Sequence, residues 1–157
     1  MKKYFFNVTV FMLLVGVSVF AQDANNLNIL KPVLKDADLV ISIADISENA
    51  SFYPVEIGGT RMEVIAVKAA DGTVRTAFNT CQVCYGSGRG FYKQVGTTLQ
   101  CQNCGNRFRM SQVEIQSGGC NPLPIFKENK TVTETTITIS KEYLAKAKNI
   151  FAKWRRS

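Results

Sequence analysis

The sequence predicts a mainly β fold, a small barrel or sandwich carrying a C-terminal α-helix. Three observations support this. Short runs rich in β-branched and aromatic residues recur between Leu39 and Ile139. Turn signals separate them, at Gly58-Gly59, Asp71-Gly72 and Gly118-Gly119. Only after Ser140, a good N-cap, does the period become helical, with Leu144, Ala147, Phe151 and Trp154 on one face. A length of 157 residues suits one domain.

The first residues stand apart from that domain. Lys2 and Lys3 precede an apolar run from Tyr4 to Phe20, and Val19-Phe20-Ala21 has the small residues of a cleavage site. Residues 1–21 are therefore read as a secretory signal peptide or, uncleaved, as an N-terminal membrane anchor close to the minimum spanning length. Either way the domain is expected outside the cytoplasm, periplasmic or otherwise extracytoplasmic. A twin arginine is missing, so export runs through the general secretory route and any metal loads after translocation. Residues 22–38 are polar, with Asn25-Asn26 and Pro32, and are expected to form a linker; residues 39–157 are expected to form the domain.

Within the domain, Leu39–Ile43 is the first expected strand. Phe52–Ile57 is the second, placed at an edge by Pro54. Arg61–Lys68 alternates apolar and polar residues, and Thr73–Phe78 returns after the Asp71-Gly72 turn to run into Cys81. Phe91–Gln94 and Thr98–Gln100 read as two strands around Val95-Gly96-Thr97, delivering Cys101, and Arg107–Met110 leads away. Thr131–Ile139 is expected to be a single last strand. The final helix is expected to dock on the sheet with Lys141, Lys146, Lys148 and Lys153 solvated. The alternative is a basic amphipathic helix on a membrane surface.

The chemistry lies in the cysteines. Cys81-Gln-Val-Cys84 and Cys101-Gln-Asn-Cys104-Gly105 are separated by sixteen residues, within the spacing of metal-binding CxxC pairs. Cys81, Cys84, Cys101 and Cys104 are the candidate ligands, expected on two hairpin tips. Four thiolates suit Zn²⁺, whose shell they close as a structural staple, or an iron–sulfur cluster able to carry one electron. Gly105 lets backbone N–H groups turn toward the sulfurs. Two other uses of the four thiols compete: disulfides, favoured in an oxidising compartment, and a thioredoxin-like pair, which needs a βαβ setting. Cys120 is the odd fifth: an inert or partly buried thiol in a turn, a substitute metal ligand, a group supporting the ligands, or a partner for an intermolecular disulfide. Tyr85, Tyr92 and Phe108 flank the knuckles and are expected to pack around the site and limit solvent access.

The exclusions are useful. There is no histidine, which removes Ser-His-Asp and Cys-His catalysis and every histidine-ligated metal site. No residue stands out as a general base over a substrate, so an enzyme is not expected. The formal charge is +7, and loss of Lys2 and Lys3 would leave +5. A mildly basic exported domain suits an anionic membrane face better than nucleic acid.

The stretch from Glu56 to Ile125 resembles the FtrD-like membrane iron–sulfur proteins. The resemblance rests on Thr76 to Gly86, Gly90-Phe91-Tyr92, Cys101 to Phe108, and Gly118-Gly119-Cys120-Asn121-Pro122. More remotely, the layout is similar to Rieske-type ferredoxin domains, with Cys84 and Cys104 standing where those carry histidine. The resemblance implies a Rieske-like β-fold and an iron–sulfur cluster, the two-iron type favoured over zinc. It also implies electron transfer with a membrane-associated redox or iron-transport partner. Many members of the family carry several membrane spans; this chain has at most its N-terminal segment.

Overall fold

A computed structural model describes residues 31–156 of the chain. The expected signal or anchor segment, and the linker up to residue 30, lie outside the described residues. Among the described residues, eleven strands form three sheets, followed by two short helices. The fold is mainly β and sandwich-like, and none of the three described sheets closes into a barrel.

The largest sheet has the spatial order β1 (Leu34–Lys35), β3 (Ser51–Ile57), β4 (Thr60–Lys68), β5 (Val74–Cys81), β9 (Pro122–Pro124). Its pairs are antiparallel except β1 with β3. The second sheet is β10 (Thr131–Val132), β11 (Thr136–Ile139) and β2 (Leu39–Ser42). The third is the meander β6 (Tyr92–Val95), β7 (Thr98–Cys101) and β8 (Arg107–Arg109).

Strand β4 organises the layers. It is expected to alternate, yet Met62 through Val67 are all buried. The reason is that both faces of the sheet are covered, as in a central strand. Met62, Val64 and Ala66 enter one core with Leu39, Ile41, Phe78, Ile137, Ile139, Leu144 and Phe151. Ile65 and Val67 enter a second core with Ala77, Tyr92, Leu99 and Phe108, and this core contains Cys81, Cys84 and Cys101. Each fully buried aliphatic side chain contributes roughly 1.5–3 kcal/mol. The candidate ligands thus sit in a dedicated core shared by the large sheet and the β6–β8 meander.

Several expectations are corrected by pairings that no local pattern encodes. Leu34–Lys35, expected in the linker, pair with Val55 and Glu56, and Asp36 Oδ1 accepts from Gly58 N at 2.8 Å. Strand β3 is therefore not a bare edge, although β1 covers only its end and leaves Pro54 unpaired on that side. The expected single strand Thr131–Ile139 folds back on itself as β10 and β11. Thr133 causes the break: its Oγ1 accepts from Thr135 N and Thr136 N, a local bond that competes with an extended ladder.

Ser140 caps the helix as expected, its Oγ accepting from Tyr143 N at 3.2 Å. The helix is broken at Ala147 into α1 (Lys141–Lys146) and α2 (Lys148–Phe151). It docks through Leu144, Ala147 and Phe151, with Phe151 edge-on to Phe78 at 5.8 Å between centroids. Beyond it the C-terminal tail crosses to the second core. Trp154 Nε1 donates to Asn79 O at 2.9 Å, Arg155 N donates to Gly88 O at 2.8 Å, and Arg156 pairs with Glu63. Among the described residues no helix is long and apolar enough to cross a membrane.

Candidate metal centre

Each cysteine pair begins where a strand ends. Cys101 is the last residue of β7, and the chain turns back at once: Cys101 N donates to Asn106 O and Gly105 N to Cys101 O, both at 2.9 Å. This second knuckle is the expected hairpin tip. The first is not. Cys81 ends β5, but the next residues pass through a 3-10 turn at Tyr85–Ser87 into β6, which belongs to another sheet. Strand β9 already occupies the free side of β5, Cys81 pairing with Pro122 across an irregularity after Phe78, so the chain cannot return along β5. The first knuckle is a crossover, closed by Cys81 N donating to Gly90 O at 2.6 Å. Gln102 N donates to Phe91 O at 2.8 Å and ties the knuckles together.

Gly90 sits where a side chain would collide with the first knuckle. A Cβ there would lie 2.8 Å from the carbonyl carbon and 2.9 Å from the carbonyl oxygen of Cys84, both rigid backbone atoms. Gly90→Ala should therefore push Cys84 out of place, costing about 1–3 kcal/mol as overpacking does. Thermal denaturation and metal titration of the variant check this, and both should fall together.

All five cysteines are free thiols. Their sulfurs form two overlapping groups, each with all members within 4.8 Å of one another: Cys81, Cys84 and Cys101, and Cys84, Cys104 and Cys120. Cys84 belongs to both. The inner group is sealed, with Cys81 at 0%, Cys101 at 1% and Cys84 at 8% exposure, whereas Cys104 is exposed and Cys120 half-buried. The structure thus gathers the four expected ligands into one cluster and adds Cys120, whose sulfur is 3.4 Å from that of Cys104. Sequence alone left Cys120 open because it lies in neither CxxC pair. The only local hint is the Gly118-Gly119 turn ahead of it.

The electrostatics differ across the cluster. Burial opposes ionisation of Cys81, but the adjacent Tyr92 side chain and the N–H groups of Val83 and Cys84 outweigh it and lower its pKa. Burial raises Cys84, and it pushes Cys101 up to about 12 although the N–H groups of Cys104 and Asn103 face that sulfur. Both knuckles thus turn two backbone N–H groups toward their first sulfur. Cys104 is lowered to about 7, mainly by the Asn106 N–H and then by the Cys120 thiol, which is itself raised by donating to it. An all-thiol donor set with backbone N–H groups aimed at its sulfurs fits a soft thiophilic cation or an iron–sulfur cluster, and offers nothing to a hard one. In metal-free, reduced protein, iodoacetamide should label Cys104 first, its rate climbing as pH rises through about 7. Peptide mapping by mass spectrometry checks this order, with Cys101 expected to lag.

Residues 46–151 match the family described as membrane iron–sulfur containing protein FtrD-like. The chain belongs to this family. The FtrD-like span takes in both knuckles, Cys120 and both helices. Comparison with curated proteins and with solved structures gives no match.

Around the FtrD-like cluster, Tyr92 and Phe108 are buried as expected, but Tyr85 is 42% exposed and stands outside the core that holds the cysteines. It lies on the 3-10 turn, which faces out. A polar support that the sequence reading did not include lies behind the cluster. Buried Asn79 donates through Nδ2 to Glu63 Oε2 at 2.6 Å and accepts from Tyr92 N at 2.7 Å, and the Tyr92 hydroxyl donates to Cys120 O at 2.8 Å. Through Arg156 this chain of contacts runs from the C-terminal tail to the cysteine loop. One signal was available: Glu63 is a lone acid in the apolar run Met62–Val67.

Proposed function

We propose that this chain is an exported electron-transfer protein that holds a two-iron iron–sulfur cluster through Cys81, Cys84, Cys101 and Cys104. The observation that carries the reading is the shape of the thiol cluster. A single zinc with four thiolates at ~2.3 Å draws all of them into one tetrahedron with edges of about 3.8 Å. Here the sulfurs divide into an inner and an outer group joined at Cys84, which suits two metal positions side by side. The first cysteine of each knuckle would hold the buried position, and Cys84 and Cys104 the one nearer solvent. Such a cluster exchanges one electron, at a lower potential with all-thiolate ligation than with histidine ligands. The chain's own part is to fix the ligands, exclude water through Tyr92, Leu99 and Phe108, and leave one edge open to a partner.

The charge carried by the knuckles and the β6–β8 meander supports a partner of opposite sign. No Asp or Glu occurs between Asp71 and Glu114, while Arg89, Lys93, Arg107 and Arg109 are all exposed. The redox partner is accordingly a membrane-associated protein, of redox or iron-transport type, with an acidic docking face. The family description and the N-terminal apolar run support the membrane location. The remote similarity to Rieske-type domains is consistent with the placement of two ligand loops beside a meander.

The full chain, purified without oxygen, should contain two irons and two sulfides, with visible charge-transfer bands that bleach on reduction. A colourless protein with one equivalent of zinc would make the centre a structural staple and end the redox reading.

A further inference from the structure

We propose that Cys120 is a metal ligand, and that it and Cys104 are interchangeable occupants of one outer coordination position. The inference takes Cys81, Cys84 and Cys101 as ligands from the reading above and asks what the fifth thiol does. The Cys104–Cys120 separation of 3.4 Å is shorter than the ~3.8 Å between two thiolates on one tetrahedral metal, so the two sulfurs compete for one position. Both thiols also share a group with Cys84. A four-thiolate centre has one thiol too many here, and the two that crowd one place are the two that reach solvent.

Cys120 is held there by both knuckles. Its carbonyl accepts from the Tyr92 hydroxyl at 2.8 Å and from Asn106 Nδ2 at 3.3 Å, in the second knuckle. Gln82, between the first pair of cysteines, grips the same loop on both sides. Its N donates to Asn121 O at 3.1 Å, its Nε2 donates to Pro122 O at 3.3 Å, and its Oε1 accepts from Gly118 N at 3.1 Å. An inert turn thiol needs none of this. With two thiols serving one outer position, one arm can release the metal while the other retains it. The centre can then be loaded or opened from solvent while Cys81, Cys84 and Cys101 stay covered.

The test uses Co²⁺ as the probe, titrated anaerobically into the reduced full chain and its Cys104→Ser, Cys120→Ser and doubly substituted variants. Far-ultraviolet circular dichroism confirms that each is folded. Each single variant should bind within about tenfold of wild type with an unchanged four-thiolate absorption spectrum. The double variant should weaken by more than about 100-fold, beyond the loss of a merely supporting group, with a spectrum of three thiolates. Any result in which one single substitution costs as much as the double, or in which the double binds like wild type, overturns the proposal. The cobalt series reports the ligands whatever metal the protein carries. Absence of iron and sulfide from the wild type is a separate result, and it removes only the iron–sulfur reading.

Discussion

Cys84→Ser is expected to abolish metal binding, with a larger effect than serine at Cys104 or Cys120. Cys84 is the one sulfur common to both thiol groups, and at 8% exposure it is the hinge between the sealed and the open side of the cluster. No other thiol can replace it, because Cys81 and Cys101 are fixed at strand ends and Cys104 and Cys120 crowd the far side. Its backbone is equally fixed: Cys84 O accepts from Ser87 N at 3.0 Å and from Ser87 Oγ at 2.8 Å. Serine offers a hard oxygen on a shorter arm where a soft ligand is required. Affinity should fall by more than about 100-fold, above the range for supporting residues. Metal bound only by the folded state stabilises it by mass action. Added metal should therefore raise the melting temperature of wild type and leave that of Cys84→Ser unmoved. A variant that still melts higher with metal would show that Cys84 is not shared.

How much of this was legible depended on how far apart in sequence the partners lie. The second knuckle, the Gly58-Gly59 and Asp71-Gly72 hairpins and the Ser140 cap are local, and each formed as read. The sheet order was not legible. Leu39 pairs with Ile139 at the far end of the domain, and β9 inserts beside β5 from more than forty residues away. Because β9 takes that place, the first knuckle became a crossover. The same insertion carries the preceding loop, and with it Cys120, against the thiol cluster. The place of the fifth cysteine was thus hidden for the same reason as the topology. Burial of β4 on both faces did leave a local mark, the unbroken apolar run Val64–Val67, which an alternating reading of the strand passes over.

The support of the cluster extends further than its own core. The segment Met110–Gln112 leads from β8 into the loop of Cys120, and Glu114, at φ 64°, turns that loop back on the large sheet. Its carboxylate accepts from Thr76 N at 2.7 Å, and so joins the loop to β5, the strand that ends in Cys81. The ligand loops are therefore braced on one strand from both sides.

The second large effect follows from that brace. Lys130 Nζ lies 2.5 Å from Glu114 Oε2 with only 2% and 14% of the two side chains exposed, and it also donates to Thr76 Oγ1 at 2.9 Å. Burial lowers the Lys130 pKa from its ordinary 10.5 even with Glu114 beside it, so desolvation outweighs the attraction. The sign follows. A lysine lowered by folding is penalised while charged, and stability from this group rises with pH between its folded value and 10.5. The charge on Lys130 is thus no net source of stability, yet half of the pair is worse than none. Lys130→Met strands the Glu114 carboxylate in a nearly dry site and should cost about 3–5 kcal/mol, as broken buried pairs do. That corresponds to a fall in melting temperature on the order of 10 °C or more. Replacing both, Lys130→Met with Glu114→Leu, should recover part of the loss, because two apolar groups leave no charge unpaired. Recovery should not extend to the metal. Without the carboxylate, buried Thr76 N loses its acceptor, at a cost of about 1–3 kcal/mol, and the loop of Cys120 loses its anchor on β5. The double variant should therefore melt between Lys130→Met and wild type while binding cobalt more weakly. If the double variant melted as low as Lys130→Met, the ion pair itself would be the stabilising element and desolvation the smaller effect.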